Sequence, residues 1–360
     1  MNEVLIENTK KIWAEGDRKK LHNYLLENRM SFWGKDNDLA TLLNFSYDLE
    51  GNSTGGILFS GKDLKESLKN IRRLRMLLQR LDWCDECSRN EVLQLVMELG
   101  SAPEDLYYMA KASSIRPEYL LQKINGTIEP SEDKPQRDYY NPNIVKKTDI
   151  TFIICSNNEM ELEETEYYIK RLYVPDECSV DILVVNDAKS MCAGYNEAMK
   201  ASKSEYKIYM HHDVRILDKY FLFYLLNIFA YDETIGMIGM VGTREFAEDG
   251  LVWHGQLYGS WIEGKVDSAT MYSCYETNEL HDVLLADGLL LATRHDILWR
   301  EDLFDSWHFY DASQCMEFKK AGYKVVIPYQ QQAWCLHECG WSDITEYRKY
   351  SDIFRNEYFC

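Results

Sequence analysis

No apolar run in this chain approaches the ~20 residues that a membrane-crossing helix needs. The N-terminal stretch MNEVLIENTKKIWAEGDRKK has no apolar core and no small-residue cleavage site. The expectation is a cytoplasmic protein with neither leader nor transmembrane segment. Positive charge is also short: 40 Lys and Arg stand against 59 Asp and Glu, for a formal net charge of -19. A phosphate backbone needs a positive face, so nucleic-acid binding is excluded as the main task. No strand-like run is followed by G-x-G-x-x-G, which removes the dinucleotide oxidoreductases. The loop after the first strand of the C-terminal half, SNNEMELEE, is acidic and without glycine. It would cradle a triphosphate poorly, which argues against a sugar-1-phosphate nucleotidyltransferase.

Proline is scarce, and three of the seven prolines fall between Asn125 and Asp149. Apolar periodicity is lost there, so residues 125–149 read as a linker. Before it, residues 1–124 read as helical. In DLKESLKNIRRLRMLLQRLDW, the residues Leu64, Leu68, Ile71, Leu74, Leu78 and Leu81 recur at helical spacing, with Asp63 as N-cap. NEVLQLVMELG and PEDLYYMAKAS give two shorter helices. The ten cysteines are diluted over 360 residues and read as reduced thiols. Cys84 with Cys87 and Cys335 with Cys339 are spaced like zinc ligands, but a structural zinc site wants two such pairs together.

After the linker, strands and helices alternate: ITFIICS, EMELEETEYYIKRL, VDILVVND, SMCAGYNEAMKAS, YKIYMHHDV, KYFLFYLLNIFAYD and IGMIGMVG. This argues a mostly parallel sheet with helices on both faces. Ligands bind such sheets at the carboxyl ends of strands. Four polar stretches are placed to converge on one rim: Cys155 to Asn158, Asn186-Asp187, His211-His212-Asp213 and Asp287-Gly288.

Asp213 at a strand end can hold Mg²⁺ or Mn²⁺ against a diphosphate. A nitrogen ligand from His211 would favour Mn²⁺. His337, in AWCLHECGW, would complete that site. In SWHFYDASQCMEFKKAGYKVVIP, Asp311 opens a helix and reads as a general base or a simple N-cap. The aromatics Trp307, Phe309 and Tyr310 before it would form an acceptor wall.

Taken in order, FIICSNN, VVNDAKSMCAGYNEAMKAS, YKIYMHHDV, IGMIGMVG, DGLLLATR, FYDASQCMEFKKAGYKVVIP and WCLHECGW resemble the family-2-like glycosyltransferases of GT-A fold. The likeness is greatest to the branch of the streptomycin-biosynthesis-type glycosyltransferase domain. The resemblance implies a Rossmann-like α/β GT-A domain at 150–360 with a C-terminal helix, preceded by an all-helical domain. It implies a nucleoside-diphosphate sugar donor, a saccharide or glycan-type acceptor and a divalent cation. On the donor side stand Ser156, Asn157, Asp187 and Asn196, with His212 beside them. Asp213 takes the place of the last carboxylate of D-x-D, His337 that of the late metal-ligating His, and Asp311 that of the catalytic base. Asp287, Gly288, Trp307 and Tyr310 fall to the acceptor side. Two positions depart from the family pattern: D-x-D reads His211-His212-Asp213, and E-D reads Tyr310-Asp311. The alternative to an inverting glycosyltransferase is a binding or scaffold protein on a degenerate transferase fold. The helical half would then carry the function; beside a transferase domain it would position an acceptor, bind a partner or make a homo-oligomer.

Overall fold

The computed structural model describes residues 2–32, positions 39, 42, 43 and 64, and residues 148–360 apart from 177, 248–251, 266–267, 275–278, 332 and 340–344. The helices expected within 63–113, the pair Cys84 and Cys87, and nearly all of the linker lie outside the described residues. Among those described, no helix is long and apolar enough to cross a membrane.

At the N-terminus, α1 (Asn2–Glu15) and α2 (Arg18–Phe32) are joined by Gly16 and Asp17. Gly16 adopts φ +71, the left-handed conformation that ends a helix without the Cβ penalty of other residues. Asp17 then caps α2, its Oδ1 accepting from the Lys20 N–H at 2.9 Å. Leu5, Ile12 and Trp13 in α1 and Leu21, Leu25 and Phe32 in α2 are buried, at separations of four, seven and eight residues that keep to one face of each helix.

The C-terminal part is built on a seven-stranded sheet in the order β2-β1-β3-β11-β5-β12-β9. Its strands are β1 (Asp149–Ser156), β2 (Ser179–Asn186), β3 (Tyr206–His211), β5 (Ile235–Gly239), β9 (His281–Asp282), β11 (Leu290–Thr293) and β12 (Lys324–Ile327). The strands β2, β1, β3, β5 and β12 are parallel, while β11 and β9 run against them. Side chains alternate between the two faces. Ile150, Phe152 and Ile154 pack with α5 (Phe221–Tyr231) and the end of α3 (Glu159–Ile169). Ile153 and Cys155 pack on the other face with α4 (Met191–Ala201) and α6 (Tyr310–Lys320). Burial on both faces explains why these strands read as near-continuous apolar runs. The helices start on chosen caps: Asn158 Oδ1 accepts from Met160 N and Glu161 N, and Ser190 Oγ accepts from Ala193 N.

A second sheet runs β10-β6-β7-β13-β4, with β8 (Ser268–Cys274) paired to β7 off this path. It contains β4 (Val214–Ile216), β6 (Val241–Thr243), β7 (Leu257–Lys265), β10 (Leu285–Ala286) and β13 (Cys335–His337). The chain thus leaves the first sheet at His211 and enters the second at Val214, so His212 and Asp213 form the corner between them. A last helix, α7 (Tyr347–Phe359), buries Tyr350 and Phe354 against the α6 side of the first sheet.

Candidate active site

Parallel pairing sets Ser156 opposite Asn186 and Cys155 opposite His211, so the ends of β1, β2 and β3 share one rim. Asp287-Gly288 reaches the same rim by a different route from a parallel strand end. It precedes β11, which is antiparallel to β3, and Leu289 O accepts from His211 N at 3.1 Å. β13 then brings in residues from far along the chain: it pairs antiparallel with β4, with His337 opposite Val214.

The result is a compact trio. One ligand-type atom from each of His211, Asp213 and His337 lies within 4.8 Å of the others. Asp213 Oδ1 is 3.4 Å from His337 Nε2 and 3.8 Å from His211 Nδ1, and the two imidazole nitrogens are 3.4 Å apart. Burial would raise the Asp213 pKa, but the imidazoles of His337 and His211 outweigh it and hold the carboxyl well below its usual range. Burial, reinforced by His337 and resisted by Asp213, pushes His211 down to about 4, so its ring is neutral at pH 7. His337 moves the other way: burial lowers it, and the Asp213 carboxylate more than compensates. Asp213 Oδ1 is sealed from solvent and accepts no hydrogen bond of good geometry among the described residues. A divalent cation fits this donor set. Two imidazole nitrogens and one carboxylate oxygen suit Mn²⁺ better than Mg²⁺, which prefers oxygen alone. Cys335, also on β13, is fully buried, and that burial drives its thiol pKa up, away from the thiolate a zinc site needs. The seven described cysteines whose side chains are placed are all free.

Behind the trio sits a buried charge cluster that the sequence reading missed. Arg215, fully buried, pairs with Glu161 Oε2 from α3 and lies 3.5 Å from Glu338 Oε2. Its Nη1 donates to Thr165 Oγ1 at 2.6 Å and to the His212 carbonyl at 2.9 Å. Glu338 N donates to the Asp213 carbonyl at 2.8 Å. One guanidinium therefore ties the corner at His212-Asp213 to α3 and to the residue after His337. Burial disfavours its charge, but Glu161 and Glu338 keep it protonated. The available signal was a single basic residue within VRI, facing acids at helical spacing (Glu161, Glu164) that a solvent-facing helix would have turned outward.

Asp311 lies in the first turn of α6. The cap residue is Phe309, in the left-handed region at φ +60, with no capping side-chain bond, so Asp311 is not a simple N-cap. Asp311 Oδ2 accepts from Gly288 N at 2.8 Å, and its Oδ1 from Ala312 N at 2.8 Å. Burial first, then the charge of Asp287, pushes its pKa up to about 7 against those two N–H groups. Tyr310, one residue earlier, is buried, and its hydroxyl bonds His211 Nε2. Of the three aromatics expected to form an acceptor wall, only Trp307 is open, at 48% exposure; Phe309 and Tyr310 are buried. Phe309 packs edge-on or tilted against Phe246, Tyr347 and Phe354, which draws that side of the helix start inward.

The expected donor-side residues divide. Ser156 Oγ lies 3.0 Å from His212 Nδ1 and accepts from Asn158 N at 3.2 Å. Asn157 and Asp187 are exposed at the rim, Asp187 with φ +56, a conformation aspartate tolerates. Asn196 is different. It is buried, its Nδ2 donates to Trp299 O at 2.9 Å, and its Oδ1 accepts from Trp299 N at 2.9 Å. Both amide atoms are thereby engaged inside the protein.

Two of the solved structures similar to this chain are glycosyltransferases. One is the mannosyltransferase PcManGT from Pyrobaculum calidifontis in complex with GDP-Man and Mn²⁺: 13% identity, TM-score 0.36, 74% of this chain and 68% of that one. The other is GalNAc-T7 with UDP, GalNAc and Mn²⁺: 8% identity, TM-score 0.42, 58% of this chain and 48% of that one, so under half of that chain is spanned. No curated protein matches. The C-terminal region has the GT-A glycosyltransferase-like α/β fold that the motif order implied. Residues 151–358, more than half the chain, match the glycosyltransferase-like family, and the protein belongs to that family.

Proposed function

We propose that this protein is an inverting glycosyltransferase that moves a sugar from a nucleoside-diphosphate sugar to an acceptor hydroxyl. The acceptor class is a saccharide or glycan, and the chain falls with the streptomycin-biosynthesis-type branch of the family-2-like enzymes. The donor lies along the ends of β1 and β2, where Ser156, Asn157 and Asp187 meet the nucleotide. Asp213, His211 and His337 hold a divalent cation. That cation, when bound, neutralises charge on the leaving diphosphate.

Asp311 accepts the proton of the acceptor hydroxyl. The acceptor oxygen attacks the anomeric carbon from the face opposite the nucleotide. The bond to the diphosphate breaks, the diphosphate leaves with the electron pair, and a single displacement inverts the centre. An acid whose pKa sits near 7 is half ionised at neutral pH, which suits a general base. The observation that carries the reading is the convergence of His211, Asp213 and His337 within 4.8 Å, on the rim where Tyr310 links the trio to Asp311.

The test is calorimetric titration with UDP, GDP, CDP, dTDP and their common sugars, with and without Mn²⁺, on wild type and Asp213→Ala. Mn²⁺-dependent binding of one nucleotide, lost in the variant, is the expected result. A folded protein that binds none of them would overturn the reading in favour of a scaffold on a transferase fold.

A further inference from the structure

The geometry points to Tyr310 as a positioning residue for the metal centre: its hydroxyl holds the Nε2 edge of His211 so that the ring ligates through Nδ1. The inference rests on the metal site of the proposed function and assigns a task to a residue that sequence reading had set on the acceptor side.

The two ring nitrogens of His211 face different neighbours. Nε2 is hydrogen-bonded to the Tyr310 hydroxyl, while Nδ1 lies 3.4 Å from His337 Nε2 and 3.8 Å from Asp213 Oδ1. A neutral imidazole has one N–H and one lone pair. For Nδ1 to give its lone pair to a cation, the proton must sit on Nε2, where the phenol oxygen accepts it. Such outer partners fix both tautomer and ring orientation in metal sites generally.

The fold makes room for this contact. Tyr310 is 4% exposed, and a Cβ on Gly288 would lie 2.1 Å from its hydroxyl oxygen and 2.6 Å from Cζ. Only glycine leaves that space. Gly288 also gives its N–H to Asp311 at 2.8 Å. One backbone position thus seats two consecutive residues of α6, one turned to the metal trio and the other to the acceptor. Moreover, the two positions at which this sequence departs from the D-x-D and E-D patterns, His211 and Tyr310, are the two partners of one hydrogen bond.

The experiment measures Mn²⁺ affinity by electron paramagnetic resonance on wild type, Tyr310→Phe and Gly288→Ala, with thermal melts alongside. It adds ring-¹⁵N histidine spectra of the ¹¹³Cd²⁺-loaded wild type, with His211 assigned by its loss in His211→Gln. Expected are a fall of about 10- to 100-fold in Mn²⁺ affinity for both variants, and cadmium coupling to Nδ1 of His211 with a proton on Nε2. Wild type that binds Mn²⁺ with Tyr310→Phe unchanged, or with cadmium on Nε2, would overturn this assignment alone. Wild type that binds no Mn²⁺ would overturn the metal site and this assignment with it. If Tyr310→Phe does not fold, the atom that carries cadmium in the wild type decides.

Discussion

Gly288 and Asp311 are joined by a hydrogen bond from the glycine N–H to the carboxylate, 2.8 Å long, between the turn just before β11 and the first turn of α6. It fixes the carboxylate one residue after Tyr310, whose hydroxyl bonds His211. Asp311→Asn keeps the size and an oxygen able to accept that bond, but it loses the second acceptor, which takes the Ala312 N–H, and the basic site. The expected outcome is a fall in kcat of about 10²- to 10⁴-fold with donor affinity unchanged, read by turnover and calorimetry on the same preparation. Loss of donor binding as well would move Asp311 out of the general-base role.

The Asp311 pKa of about 7 sets a pH dependence. As the proposed base, Asp311 would work when ionised, so kcat/KM of the wild type is expected to fall as pH drops below about 7, and this limb should vanish in Asp311→Asn. Stability runs in the opposite sense. Between the ordinary 3.8 and about 7 the folded protein holds a proton that the unfolded chain has lost, so stability declines as pH rises through this window. Asn does not titrate, so the stability difference between Asp311→Asn and wild type should move in the variant's favour as pH rises through this window, by at most about 4 kcal/mol from the size of the shift. Urea unfolding at pH 5 and pH 8 checks it: the variant's advantage should grow with pH.

Removing the Arg215 charge leaves Glu161 and Glu338 buried without their counter-ion. Arg215→Met is expected to cost about 3–5 kcal/mol, as breaking buried ion pairs does. Two donors to the corner of the metal trio depend on that guanidinium, one direct to the His212 carbonyl and one held through Thr165. Denaturant midpoints give the stability. Mn²⁺ titration of the folded fraction should show a parallel loss of affinity.

Asn196 stands in a pattern that implied a donor contact, yet its two bonds to the Trp299 backbone give it a structural task. Asn196→Ala leaves the buried N–H of Trp299 unpaired, at about 1–3 kcal/mol, while its carbonyl keeps the bond from Glu301 N at 2.8 Å. A drop in melting temperature with nucleotide affinity per folded molecule unchanged is the expected result. The reverse pattern would return Asn196 to the donor site.

Much of this protein was legible in its sequence. Apolar runs such as ITFII and ILVV are local signals, because strand burial depends on near neighbours. The polar residues following those runs marked the rim, and the order of motifs marked the family. Spacing along the chain carries no information on how distant strands pair. The antiparallel course of β11 brought Asp287-Gly288 to the rim from its other end. The register of β13 on β4 set His337 beside a trio whose other members lie over a hundred residues earlier. Tyr310 read as part of an aromatic acceptor wall and Asn196 as a donor contact from the family pattern, and only packing decided that both are buried. Arg215 with its glutamates was hidden for the same reason: a charge enters a core only where opposite charges from other elements meet it, and that meeting is a property of the tertiary structure.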